Sequence, residues 1–209
     1  HCEIYREISS KVCGTLNLGT ALSNSFGCLR RQLPLDELRI NILDPELHAI
    51  KVIAIADEHG VNLMLDKPQI LAVSEQVLRE LSGGTLPDVR SVGRWQEDRA
   101  TQEASSYFPG TPGSSLLIMR LLLEGKRQGA MILRANGEDR YTEAHRELMA
   151  GLNDPFAIAL NNALTHYELS RLKDRLDNDN RLLQRELRQY GANEIIAVSY
   201  THLRAHETV

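Results

Sequence analysis

Residues 115–134 read SLLIMRLLLEGKRQGAMILR. Two apolar runs, 115–123 and 128–134, flank the turn-forming string Glu124-Gly125-Lys126-Arg127. That is the strongest β-hairpin signal in the chain, because a glycine-bearing connection between two strand-length apolar runs favours antiparallel pairing. Downstream, Thr142 followed by Glu143 supplies a helix N-cap and an acid at the positive end of the dipole. The spacing predicts a helix that runs nearly to Arg188, with Pro155 kinking it or marking a local break.

Upstream, Ile4, Ile8 and Val12 stack on one helical face that Gly14 ends, and Leu18, Leu22, Phe26, Leu29 and Leu33 form a second stripe that Pro34 ends. The period then changes to two. Leu38, Ile40 and Ile42 alternate with Arg39 and Asn41, and the run 50–56 follows a turn at Asp44, Pro45 and Glu46, which predicts another hairpin. Helical spacing returns over 68–81 through Ile70, Val73, Val77 and Leu81, closed by Gly83 and Gly84. The stretch from there to Gly113 has weak periodicity and reads as irregular. The expected architecture is α+β, an antiparallel sheet flanked by helices and followed by a long C-terminal helix.

Composition excludes several classes. Of 209 residues, 25% are charged and 42% hydrophobic, which suits one globular domain with an appendage. A formal net charge of -4 gives no positive field for a phosphate backbone, so this fragment is not expected to bind nucleic acid. The longest apolar runs, such as 115–123, are interrupted by Arg120 and fall well short of the roughly 20 residues a bilayer span needs. No membrane association is expected. Cys2, Cys13 and Cys28 are an odd set with no C-x-x-C spacing and read as reduced, cytoplasmic thiols. His1 is not a natural start, so the N-terminus is expected to be incomplete.

Beyond Leu164 the sequence turns polar, yet Leu169, Leu172, Leu176, Leu183, Leu187 and Tyr190 recur at spacings of 3, 4, 7, 4 and 3. This is the a/d seam of a short parallel coiled coil, with Asp179 or Asn180 interrupting one layer. Those leucines are the expected dimer helix; the other reading is an exposed helix whose leucines fold back on the domain. The final string, 199–209, resembles a translated sequencing-adapter tail and is set aside.

The string YTEAHREL at 141–148, followed by FAIALNNA at 156–163, is similar to the closing helix of GAF domains. Residues 169–176 and 179–187, LSRLKDRL and DNRLLQREL, look like the linker that precedes the AAA+ motor in sigma-54-dependent activators, which runs into a segment resembling Asn193-Glu194-Ile195-Ile196. The resemblance implies a GAF-like sensor domain at 1–166, a coiled-coil linker helix at 167–192 and the start of an absent ATPase domain at 193–198. It further implies a homodimer that, at full length, acts with sigma-54 RNA polymerase and enhancer DNA. The chain carries no G-x-x-x-x-G-K-[ST] phosphate loop, no Walker-type acidic strand and no helix-turn-helix, so sensing and dimerisation are what it could supply.

No catalytic constellation is legible. Gly113-Ser114-Ser115 lacks the nucleophile elbow, and His48, His59, His145 and His166 do not combine into metal-ligand spacing. GAF proteins that reduce methionine sulfoxide or attach a bilin carry pocket cysteines, and residues 29–209 contain none. The chain is expected not to be an enzyme and to hold no metal. What remains is a pocket of the GAF kind, between the sheet and the middle segment, for a small effector of unknown identity. Arg39 and Asn41 leave the Leu38 face together, and Arg120 interrupts an apolar strand; guanidinium suits a carboxylate or phosphate, so an anionic effector is one expectation and solvated or salt-bridged arginines the other. Trp95, His59 and Tyr107 are candidate walls. Two rival functions are a ligand-free dimerisation module and a redox or metal sensor.

Overall fold

A computed structural model describes the backbone of residues 2–206 apart from 16, 85, 106 and 109–111, with side chains described within 3–187. The chain divides into two units, His1–Leu164 and Thr165–Val209.

In the first unit two helices, α1 (Cys2–Cys13) and α2 (Leu18–Arg30), precede the sheet; Asn17 caps α2 by accepting from the Thr20 amide. The strands are β1 (Glu37–Asp44), β2 (Ala49–Asp57), β3 (Gly60–Leu63), β4 (Gln69–Ala72), β5 (Val89–Val92), β6 (Ser114–Leu123) and β7 (Lys126–Asn136). They form one antiparallel sheet in the order β3-β2-β1-β7-β6-β5, with β4 also pairing with β2.

The decisive hairpin is β6–β7. Its loop is two residues, Glu124 and Gly125, both left-handed at φ 51° and 74°, the mirror-type turn whose twist matches paired strands. Lys126 and Arg127, expected in the turn, therefore belong to β7.

One sheet face carries Leu38 and Ile40 of β1, Leu117, Met119 and Leu121 of β6, and Met131 and Leu133 of β7. These pack with α1, α2, α5 (Glu143–Ala150) and α6 (Asn153–His206) in one buried cluster. Gly129 permits the close approach: a Cβ there would lie 2.6 Å from the Asn41 carbonyl oxygen and 2.9 Å from Leu160 Cδ2 of α6. On the other face lie α3 (Glu75–Ser82) and α4 (Arg99–Ser105), whose Val77, Leu78, Ala100 and Ala104 belong to separate clusters with Leu43, Ile50 and Val52.

Three expectations are corrected. The helix predicted over 68–81 begins only at Glu75, capped by the Ser74 hydroxyl, because Gln69–Ala72 instead pairs along Ala49–Val52 of β2. The stretch read as irregular contains β5, a short 3-10 turn (Trp95–Glu97) and α4. The long helix from Thr142 is two helices. Thr142 caps α5 as expected, with His145 completing a reciprocal cap that was not foreseen, but the break falls at Gly151, where the Tyr5 ring leaves no room for a Cβ, and Pro155 sits harmlessly in the first turn of α6.

In the second unit α6 continues, and Leu169, Leu172, Leu176, Leu183 and Leu187 are all more than half exposed. The Tyr190 side chain and those of 193–198 and the 199–209 tail lie outside the described residues. No helix among the described residues is long and apolar enough to cross a membrane.

Candidate functional site

The sheet face opposite α6 is built in rows. Arg90 of β5, Ile118 of β6, Ile132 of β7 and Arg39 of β1 are successive register partners, and Arg120, Ala130 and Asn41 form the next row. Arginines thus stand at both ends of an apolar floor, three strand spacings apart, or about 14 Å. Leu81 of α3, with Ala100, Thr101 and Ala104 of α4 and the Phe108 ring, close over it. They leave a cavity of about 80 Å³. That is several times the roughly 10–15 Å³ one water requires.

The polar tips differ in how they are satisfied. Arg39 is almost wholly buried, pairs with Glu37, and lies with its Cζ 3.4 Å from the centre of the Phe108 ring. Burial pulls its guanidinium below the usual arginine range against the opposing charge of Glu37, which still leaves it protonated. Arg90 pairs with Asp98, whose other oxygen accepts from the Thr101 amide at 2.9 Å and hydroxyl at 2.6 Å, so Asp98 also caps α4. Burial alone would raise the Asp98 carboxyl; Arg90 and Thr101 together outweigh it and hold it below the usual value.

Arg127 differs. It donates to the Leu81 carbonyl, its Nε is buried without a hydrogen-bond partner, and no carboxylate among the described residues pairs with it. Burial first, then the nearby charges of Arg120 and Arg90, depress its proton affinity. Asn41 also lines the cavity, and its Oδ1 is likewise buried and unpaired.

Arg127 reaches this face through a bulge. Leu121 pairs with Gly129 but Leu122 pairs with Arg127, so Gln128 is an extra residue. Strict alternation would have put Arg127 with Gly129, Met131 and Leu133 on the helix-covered face; the insertion turns it over. A second bulge at Ile53 of β2 sets Val52 opposite Asn41.

No family model matches the sequence, and no curated protein matches it. Solved structures do. The GAF domain of a phosphoenolpyruvate-protein phosphotransferase from Coxiella burnetii superposes with a TM-score of 0.57 at 15% identity, over 80% of this chain and 96% of that one. The fold is that of GAF domains. The phycoerythrobilin-bound GAF domain of a cyanobacterial phytochrome gives 0.55 at 15% identity, over 79% and 96% of the two chains. Free methionine-R-sulfoxide reductase from Neisseria meningitidis, in complex with its substrate, gives 0.54 at 12%, over 79% and 90%.

On this GAF scaffold the expected site residues separate. Arg39 and Asn41 line the cavity; Arg120, His59, Trp95 and Tyr107 are not among its lining residues. Arg120 starts from the same face but turns to Asp88, at 2.6 and 3.1 Å, and to the Gly83 carbonyl at 3.2 Å. His59 stands 84% exposed at the β2–β3 turn, beside a shallow hollow against α2. Trp95 is half-buried in the 3-10 turn, and Tyr107 is exposed while its neighbour Phe108 supplies the aromatic wall. Arg90, Asp98, Thr101, Phe108 and Arg127 were not foreseen. Asp98 with Thr101 three residues on was a readable N-cap signal; the flipped face of Arg127 had none.

Among the described residues no three metal-ligating side chains converge. Cys13 is exposed, and Cys28 is buried with its Sγ 2.9 Å from Lys11 Nζ and 3.2 Å from Glu7. The Cys2 side chain lies outside the described residues.

Proposed function

We propose that the chain is a small-molecule-sensing module, the cytoplasmic input half of a sigma-54-dependent transcriptional regulator, which binds an effector in the arginine-tipped cavity and signals through a dimerising α6 to an ATPase beyond this fragment. The observation that carries the sensing role is the cavity itself: apolar walls, a few convergent polar tips, and a half-buried cation that no carboxylate among the described residues pairs with. That is the composition of a ligand site rather than of a packing defect. The reading is one of binding, and it is supported by Asp98, the carboxylate lining the cavity, being held by Arg90 and Thr101. The regulator context is supported by the linker resemblance at 169–187 and by the row of exposed leucines, which suit a partner helix.

The test is a thermal-shift screen of the 209-residue chain against a library of small metabolites, in parallel with Ala104→Trp, which fills the cavity from its roof. A ligand selective for the folded state raises Tm in a dose-dependent way. A hit lost in Ala104→Trp supports the proposal; silence across the library with an intact dimer transfers support to a ligand-free dimerisation module.

A further inference from the structure

Among the described charged side chains that line the cavity, Arg39 and Arg90 each have a carboxylate partner, Glu37 being shared with Arg134, and Arg127 has none. Arg39 meets Glu37, Arg90 meets Asp98, and at the margin Arg120 meets Asp88. Arg127 meets only the Leu81 carbonyl, and its Nε points to no acceptor. A half-buried guanidinium without a counter-charge carries a desolvation cost that one carbonyl hydrogen bond offsets only in part. Lining the same cavity from β1, Asn41 carries an Oδ1 acceptor with no donor. Ala130 stands beside Asn41, and in the next row, away from Arg127, Ile118 and Ile132 offer an apolar surface with Leu116 in the same cluster.

Resting on the sensing role proposed above, we propose that the effector is a small aliphatic hydroxycarboxylate: one carboxylate seated on Arg127, an apolar body over Ile118 and Ile132, and a hydroxyl donating to Asn41 Oδ1. One uncompensated positive charge calls for one negative charge. A phosphate monoester, at about -1.5 to -2 near neutral pH, would leave an excess anion in the cavity, and a dicarboxylate would do the same. A carboxylate matches the flat fork of the guanidinium in two parallel hydrogen bonds, including one from the orphaned Nε. An amino group in place of the hydroxyl would bring a fourth cation beside Arg39, Arg90 and Arg127.

The experiment is calorimetric titration of the full chain with five probes: 2-hydroxypentanoate, pentanoate, pentane-1,2-diol, pentanedioate and inorganic phosphate. 2-Hydroxypentanoate is expected to bind, pentanoate about tenfold more weakly for the lost hydrogen bond, and the other three not measurably. Arg127→Met abolishes binding of both monoacids, Arg127→Lys retains it in weakened form, and Asn41→Leu brings 2-hydroxypentanoate down to the level of pentanoate. Thermal scans of each variant confirm folding. Diol binding as tight as the hydroxy acid's, a preference for pentanedioate or phosphate, undiminished binding by Arg127→Met, or silence of all five probes overturns the hydroxycarboxylate. If any of these comes with a library hit lost in Ala104→Trp, the sensing role survives its ligand class; if it comes with library silence, both fall.

Discussion

Replacing Arg127 by Met in the ligand-free chain removes a half-buried charge while keeping most of the apolar stem. In the folded state the guanidinium is partly desolvated, feels the charges of Arg120 and Arg90, and donates one compensating hydrogen bond to the Leu81 carbonyl. The effective penalty for such an ion is several kcal/mol. The charge-assisted bond returns about 1.5–3 kcal/mol of it. The net expectation is that Arg127→Met is more stable than the parent by about 1–2 kcal/mol, a Tm rise of roughly 2–8 °C for a chain of this size. Arg90→Met is the contrast, because it strands the Asp98 carboxylate beneath α4. Removing one partner of a buried pair costs about 3–5 kcal/mol, and the two Thr101 bonds that remain on Asp98 bring the expected loss to about 2–4 kcal/mol. Differential scanning calorimetry at fixed protein concentration, after dialysis to strip ligand, measures both. If Arg127→Met lowers Tm as much as Arg90→Met does, Arg127 is a structural ion-pair member and the reasoning from its isolation is wrong.

At Gly129, an alanine Cβ would sit 2.6 Å from a backbone oxygen and 2.9 Å from Leu160, so Gly129→Ala should lower stability by about 1–3 kcal/mol, read as a fall in the urea midpoint at constant slope. Because the folded-state pKa of Asp98 is depressed, its stabilising contribution is complete above the ordinary value of 3.8 and is lost as pH falls through the lower folded value. Urea midpoints of Asp98→Asn between pH 6 and pH 2.5 should therefore lie below the parent's at the upper end and converge with them at the lower; a constant gap would contradict the assignment. Leu172→Glu and Leu176→Glu, at positions 54% and 65% exposed, should convert a dimer to a monomer in sedimentation velocity without changing the Tm of the sensor unit, and an unchanged dimer would remove the coiled-coil seam from the proposal.

Legibility in the sequence followed the range of the interactions involved. The β6–β7 hairpin, the β1–β2 hairpin and the two leading helices were readable because each is specified by local periodicity and turn chemistry, and the Thr142 cap because its partner is three residues away. Arg39 and Asn41 came off the Leu38 face by alternation alone. Residues 69–72 were misread as helix because Ile70, Val73, Val77 and Leu81 have helical spacing, while what makes Gln69–Ala72 a strand is an edge of β2 some twenty residues upstream. Arg127 was invisible for a different reason. Its face depends on the unpaired Gln128, and a bulge reverses every inference drawn from alternation on its far side. Arg90 required β5, a four-residue strand whose only signal is its pairing with Arg120's neighbours on β6.

The same bulge bears on how a cavity could speak to a helix. β7 carries Arg127 on the cavity side and, two residues on, Gly129 on the helix side, where the strand backbone and Leu160 of α6 approach closely enough to exclude even a methyl group. Tight packing of this kind transmits displacement rather than absorbing it, because no void exists into which the helix could relax. An anion drawing Arg127 inward would therefore act on a strand packed directly against α6. An arginine left without a counter-ion is costly to a static domain, but in a sensor that cost is what the effector relieves, so the affinity for the ligand and the instability of the empty state have a common origin.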